Sequence, residues 1–287
     1  MIPEKLRIIF AVQGGGGEIL RRSERIAIMA KCLNDYPGRL FSLSYFVELL
    51  GVAKSTVSED LTIIKEAWQA QELGELKTVA GAGGGVRYVP GLPGAVKDSL
   101  LEDLARQLEE PDRILPGGFL YMSDIIGDPV IIDRLGQILA GLFIDSQADH
   151  VVTVATKGIP LALATARALN LTTVIIRNDS KVTEGSSVSL NYLTGSRTIR
   201  TMSLSRRALK EGARVLFVDD FMKAGSTAQG VVKLMEEFGA EVVGAGFLVA
   251  TAEPREKLIE DYHALLTLEK VDEARGKVVI KPFKAIP

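Results

Sequence analysis

The sequence predicts an α/β protein of two parts: a small helical module closed by a hairpin, then a larger, mostly parallel sheet flanked by helices. Three observations carry this. From His150 onward, strand and helix patterns alternate, and the strands are near-continuous apolar runs of the kind buried on both faces. Within that run, Val215–Gln229 (VLFVDDFMKAGSTAQ) sets two acids at the end of a buried strand and a small-residue turn before a helix. Between Arg21 and Pro90, three short helical patterns lead into two strand patterns around a glycine-rich tip.

Composition bounds the function. The 287 residues are 47% hydrophobic and 24% charged, ordinary for a globular protein with one large core or two smaller ones. No apolar run approaches the roughly 18–20 residues of a membrane span, and Ile8–Val12 is too short for a secretory signal. The single cysteine, Cys32, excludes an internal disulfide and fits a reducing cytoplasm, the expected location. The net charge is -2, and residues Met1–Pro90 hold 11 Lys and Arg against 10 Asp and Glu. Nucleic-acid binding therefore has to come from local placement of charge rather than from a basic coat.

In chain order, residues 1–20 carry four consecutive glycines, Gly14–Gly17, which no helix or strand accommodates cheaply, so a disordered extension is expected. A glycine-rich phosphate loop is the alternative, but it lacks the accompanying strand, Lys and Ser/Thr. Residues 21–90 form the first domain. Ser23–Tyr36 is a helix with Ile26, Ala27, Met29, Ala30 and Leu33 on one face, and Pro37 and Gly38 stop it. Leu43–Leu50 is a second helix, closed by Gly51. A third opens at Lys54 or Ser55 and buries Val57, Leu61, Ile64 and Trp68. Two helices joined by a Gly turn, with small polar residues opening the second, resemble a helix-turn-helix, and strands Gly74–Val79 and Val86–Val89 make it a winged helix. Lys54, Ser55, Thr56, Ser58 and Lys65 are its DNA-facing candidates. Arg21, Arg22, Lys77 and Arg87, with Arg25, are candidates for phosphate contacts. A small dimerisation domain with a solvated polar face is the plain structural alternative.

Residues 91–128 read as a hinge (Pro90, Gly91, Pro93, Gly94), a helix Val96–Leu108 and a turn-rich connector. Residues 129–287 form the second domain. Asp128 and Pro129 open a helix running through Leu142, and the alternating units follow: strand His150–Ala155, helix Ile159–Leu169, strands Thr173–Arg177 and Arg214–Asp219, helix Thr227–Phe238, strand Glu241–Ala250. In open α/β sheets, ligands bind at the carboxyl ends of strands. Asp219 and Asp220 fall there, and the turn through Lys223, Ala224, Gly225, Ser226 and Thr227 offers backbone N–H groups at a helix N-terminus, a ready anion site. Gly225 permits close approach, and Ser226 or Thr227 can cap the helix. Two carboxylates beside a phosphate cradle suit a sugar phosphate, with the acids accepting hydrogen bonds from two ribose hydroxyls. Thr156, Lys157 and Gly158 form a second strand-to-helix turn fit for another anion, unless it is an ordinary tight turn. The polar stretch between Asp179 and Arg207 is read as a lid over the ligand, a carrier of domain contacts or a solvated hairpin.

Val215–Gln229 resembles the phosphoribosyl pyrophosphate (PRPP) signature of the type I phosphoribosyltransferases. Ala224 stands where many catalytic members carry Thr. From about Arg21 onward the chain is similar to the purine operon repressors of Gram-positive bacteria. The match rests on SEDLTIIK (Ser58–Lys65), AGGGVRYVP (Ala82–Pro90), RILPGG (Arg113–Gly118), TVATKGIPLA (Thr153–Ala162), KVTEGSSVS (Lys181–Ser189), TMSL (Thr201–Leu204) and VDDFMKAGST (Val218–Thr227). That resemblance implies a phosphoribosyltransferase-like effector domain and a homodimer. It also implies operator DNA upstream of purine genes as partner, and release of that DNA when PRPP, which can carry Mg²⁺, fills the second domain. No catalytic residue, no side-chain metal site and no enzyme activity are expected. An active purine phosphoribosyltransferase with an added N-terminal module is the alternative. An RNA-binding attenuator of the pyrimidine-gene type is disfavoured, because such proteins lack the winged helix.

Overall fold

The computed structural model describes residues 20–81, 83–178, 185–193 and 198–283. The expected extension, residues 1–20, lies almost wholly outside them, as do parts of the Asp179–Arg207 stretch. The chain divides into two compact units, Met1–Pro93 and Gly94–Pro287.

In the first unit the three expected helices are present: α1 (Arg22–Asp35), α2 (Leu43–Leu50) and α3 (Lys54–Ala70). Glu24 reaches back to the Arg21 N–H at 2.7 Å, so Arg21 is the N-cap and α1 opens one residue before the expected Ser23–Tyr36 helix. Ser42 caps α2 by accepting from Tyr45 N at 3.1 Å, and Gly51 ends it with φ 65°. The hairpin β2 (Glu75–Val79) with β3 (Gly85–Val89) gains a third antiparallel strand that the sequence did not announce, β1 (Leu40–Phe41), paired to β3. Met29, Leu33, Phe41, Phe46, Val57 and Ile64 fill the core. One member of the α3 inward face is charged: Asp60 is fully buried against Arg25, with Nε donating to Oδ2 at 2.7 Å. Arg25 is therefore not a phosphate contact; it ties α1 to α3.

The second unit is a six-stranded sheet in the order β13-β12-β11-β10-β6-β7, parallel except for the β12–β13 pair. Its strands are β6 (His150–Val154), β7 (Thr172–Ile176), β10 (Arg214–Met222), β11 (Glu241–Thr251), β12 (His263–Asp272) and β13 (Lys277–Pro282). On one face lie α6 (Pro129–Leu142) and α7 (Ile159–Leu169), and on the other α8 (Ser226–Glu236). Asp128 caps α6 as expected, accepting from Val130 N at 2.8 Å and Ile131 N at 3.0 Å.

Residues 94–128 do not stand apart as a connector. Helix α4 (Gly94–Leu108) buries Leu101, Leu104 and Leu108 in the same core as Val278 and Ile280 of β13, and Glu109 Oε1 accepts from Ile280 N at 3.1 Å. Arg113 forks onto Asp124 at 2.9 and 2.7 Å, fastening the small β4 (Ile114–Leu115) and β5 (Phe119–Leu120) pair to α5 (Ser123–Gly127). The reason is physical: an apolar stripe repeating every three to four residues must be covered, and the core shared by the sheet, α5 and α6 covers it. The described part of the polar stretch is a hairpin, β8 (Ser187–Leu193) with β9 (Ile199–Ser205). Met202 and Leu204 are buried in the same core as Val231 and Leu234 of α8, so this part is fastened down rather than free to act as a lid.

Candidate effector site and nucleic-acid interface

From β6 the chain crosses through α7 to β7 at one edge, then returns to add β10 on the other flank of β6. The β6/β10 junction is thus a topological switch point, where the loops at the carboxyl ends diverge and leave a crevice. Both turns singled out by sequence leave these two strands: residues 155–158 after β6, and Lys223–Gly225 after β10. β6 pairs with β10 only as far as Val152 beside Phe217, while β10 continues to Met222 along β11. Asp219 and Asp220 therefore project past the last β6 partner, and the flank β6 has vacated is taken by Gly158.

That contact is close. A Cβ on Gly158 would collide with Asp219 Oδ1 and lie 2.7 Å from Thr153 Oγ1 and 3.0 Å from the Asp219 Cα. Only glycine allows the turn to sit against the acid. Asp219 is buried, at 8% exposure, and its Oδ1 accepts from Asp220 N at 3.0 Å. Burial first, and then the negative charge of Asp220, push the Asp219 carboxyl well above the usual carboxylate range. Asp220 is half-buried, whereas Thr156, Lys157 and Lys223 are exposed. The acid pair is not symmetric: Asp220 is the more open of the two.

Gly225 takes φ 87° and is itself the N-cap of α8, with no side-chain cap hydrogen bond. Ser226 and Thr227 are consequently the first two helical residues rather than caps, and the first-turn N–H groups have no intrahelical acceptor. Ala224 O accepts from Leu258 N at 2.9 Å. Lys257 Nζ donates to Lys223 O at 2.6 Å and to Thr251 O at 2.7 Å, and burial lowers its pKa. The Lys223–Gly225 turn is thus propped by the β11–β12 connection. A lysine in an irregular loop carries no sequence signal for this task.

In the first unit, Lys54, Ser58 and Lys65 line one groove of about 290 Å³ with Ser42, Ser44 and Thr78, between α3 and the wing. Ser55 is exposed and Thr56 half-buried, both outside that lining. Arg21 is exposed at the start of α1. Arg22 is engaged by Glu59 at 3.0 Å and Asp60 at 3.4 Å, which directs it to α3. Lys77 and Arg87 are directly opposite in the β2–β3 ladder. Lys77 has Glu75 at 3.8 Å, while the buried Arg87 Nε has no hydrogen-bond partner among the described residues.

Residues 21–90 match the family described as bacterial purine repressor, N-terminal, and residues 123–279 match the phosphoribosyl transferase domain. The chain is 45% identical to the purine biosynthesis transcriptional repressor PurR of Bacillus subtilis, over 91% of this chain and 92% of that protein. The chain belongs to the bacterial purine repressor family. Within it, the purine biosynthesis transcriptional activator PurR of Lactococcus lactis is 37% identical over 91% of this chain and 97% of its own length. The second unit also has the fold of an adenine phosphoribosyltransferase from Rhodothermus marinus, at TM-score 0.51 and 26% identity, covering 59% of this chain and 99% of that one. Among the described residues, no helix is long and apolar enough to cross a membrane.

Proposed function

We propose that this family member is a transcriptional repressor of purine biosynthesis and transport genes that binds operator DNA as a homodimer and releases it when PRPP occupies the second unit. The observation that carries the reading is the convergence of two anion-ready turns and the acid pair at one switch point, on a chain whose other unit matches a repressor's DNA-binding domain. The pyrophosphate goes to the Thr156–Gly158 turn and the 5-phosphate to the first-turn N–H groups of α8, with Asp219 and Asp220 accepting from ribose hydroxyls. Among the described residues, no group of three His, Cys, Asp or Glu side chains could hold a metal ion. Mg²⁺ would accordingly ride on the ligand's own phosphates, with Asp220 as an available carboxylate, a mode that suits this ion.

The DNA contact is assigned to the groove between α3 and the wing. Lys54 and Lys65 supply phosphate contacts and Ser58 lies within reach of base edges. The opposed Lys77 and Arg87 repel each other on the bare wing, and a DNA phosphate between them would relieve that. Release requires PRPP to bind the DNA-free form more tightly than the DNA-bound one.

The test is a mobility shift with purine-gene control DNA, with and without PRPP. PRPP should abolish the shifted band for the wild-type chain and leave it intact when Asp219 and Asp220 are both Ala. A band indifferent to PRPP in the wild type refutes the sensor reading. Release of pyrophosphate on incubation with PRPP, Mg²⁺ and purine bases would favour the transferase alternative.

A further inference from the structure

The turn between β10 and α8 is clasped by the connection from β11 to β12. Lys257 Nζ donates to Lys223 O at 2.6 Å, to Thr251 O at 2.7 Å and to Thr251 Oγ1 at 3.2 Å. The Thr251 hydroxyl gives its one proton to Glu253 O at 2.6 Å, so toward the ammonium it is an acceptor. An ammonium has three protons, and these three oxygens take them all. The next residue continues the clasp: Leu258 N donates to Ala224 O at 2.9 Å, and a Cβ on Gly225 would lie 3.4 Å from the same nitrogen.

Two successive carbonyls of the turn thus face residues 257 and 258. Both peptide units are trans, and in a planar trans peptide the N–H points opposite to the C=O. The Ala224 and Gly225 N–H groups are therefore turned away from the connection. Among the described residues neither donates a hydrogen bond. In sequence they adjoin the unpaired N–H groups that open α8.

We infer that Lys257 is a positioning residue for the effector's 5-phosphate: by holding the Lys223 carbonyl against the β11–β12 connection, it aims the Ala224 N–H, and with it the Gly225 N–H, at the anion. This rests on the effector reading above and adds to it the group that keeps the phosphate turn in its binding form. With its protons engaged, Lys257 does not touch the ligand. Burial lowers its pKa, in keeping with an ammonium withdrawn from water under the turn's own backbone. Without that ammonium the Lys223 carbonyl has only water as partner, and the Lys223–Ala224 peptide can rotate and carry its N–H off the phosphate.

Ribose 5-phosphate and inorganic pyrophosphate are the two probes, because each carries only one of the anionic ends of PRPP. The full-length chain, Lys257→Met and Lys257→Arg are titrated calorimetrically with both probes and with PRPP, Mg²⁺ present, with operator binding and the melting curve as fold controls. Lys257→Met should lose about tenfold in affinity for ribose 5-phosphate and for PRPP, the worth of one hydrogen bond to a charged group, and stay within about twofold for pyrophosphate. Lys257→Arg, which keeps charge and donors, should recover most of that loss. Should the methionine variant not fold, Lys257→Gln takes its place with the same expectations, being one atom too short to span both carbonyls. Unchanged affinity for ribose 5-phosphate in either neutral variant overturns the inference. Equal losses for both probes overturn it too, since a missing charge or a damaged fold would not distinguish them, and so does an arginine variant as weak as the methionine one. Absence of heat with PRPP in the wild type breaks the effector reading as a whole. Heat with PRPP but none with one of the probes breaks only this inference.

Discussion

Asp219 shows how much of a residue's role is decided by its surroundings. Its pKa is raised by burial and by the Asp220 charge, so folding favours its protonated form. Such a carboxyl contributes stability that is fully present below its unfolded value of about 3.9 and is lost as pH rises through the folded value. Asp219→Asn is neutral at every pH and escapes that loss. The variant should therefore melt higher than wild type at pH 7–8, each kcal/mol being worth ~2–4 °C in a unit of this size. The advantage should vanish as pH falls to about 4. A thermal melt across pH 4–8 checks this, and a constant offset between the two chains would contradict it. The acid pair, the Gly158 turn and Gly225 were all legible from spacing alone as candidates at the carboxyl ends of two strands. The inequality of the two acids was not, because a sequence pattern reports which side chains reach a strand end and not which one is covered.

Elements repeat the lesson with Asp60. The α3 stripe of Val57, Leu61 and Ile64 is legible from its period, and all three are buried. Asp60 lies on the same side, fully buried, and its partner Arg25 is two helices back in the chain, on α1. A buried pair of this kind is costly to break from one side, because the remaining charge stays uncompensated. Asp60→Ala should destabilise the first unit by about 3–5 kcal/mol and abolish operator binding, with circular dichroism separating loss of fold from loss of contact. Retention of a wild-type melt in the first unit would show the pair to be dispensable. Charged residues are read as surface unless a partner is known, and this partner is 35 residues away. Strands were missed for a related reason: β1 has two residues, and β12 and β13 mix charges into short apolar runs, β13 at the sheet edge.

At the scale of the molecule, the chain's cores fall into two sets that follow the division at Pro93 and Gly94. The first unit is filled by residues no later than Tyr88, and the second begins with Leu101. A fragment of residues 94–287 is expected to fold alone and bind PRPP with the affinity of the full chain by calorimetry. A fragment starting at 129 should aggregate, because it strips Leu101, Leu104, Leu108, Leu120 and Ile125 from a core they share with β13. Equal solubility of the two fragments would refute the placement of α4 and α5 in that core. By itself, the sequence determined the class of each unit, the parallel sheet and the two strand-to-helix turns, because periodicity, glycine placement and the acid pair act over a few consecutive residues. What only the tertiary structure decided was which distant groups share a space: Gly158 against Asp219, Lys257 on the turn after β10, Arg25 with Asp60, and α4 on β13. Those pairings depend on close packing and desolvation across strands and helices far apart in the chain, and no local pattern encodes them.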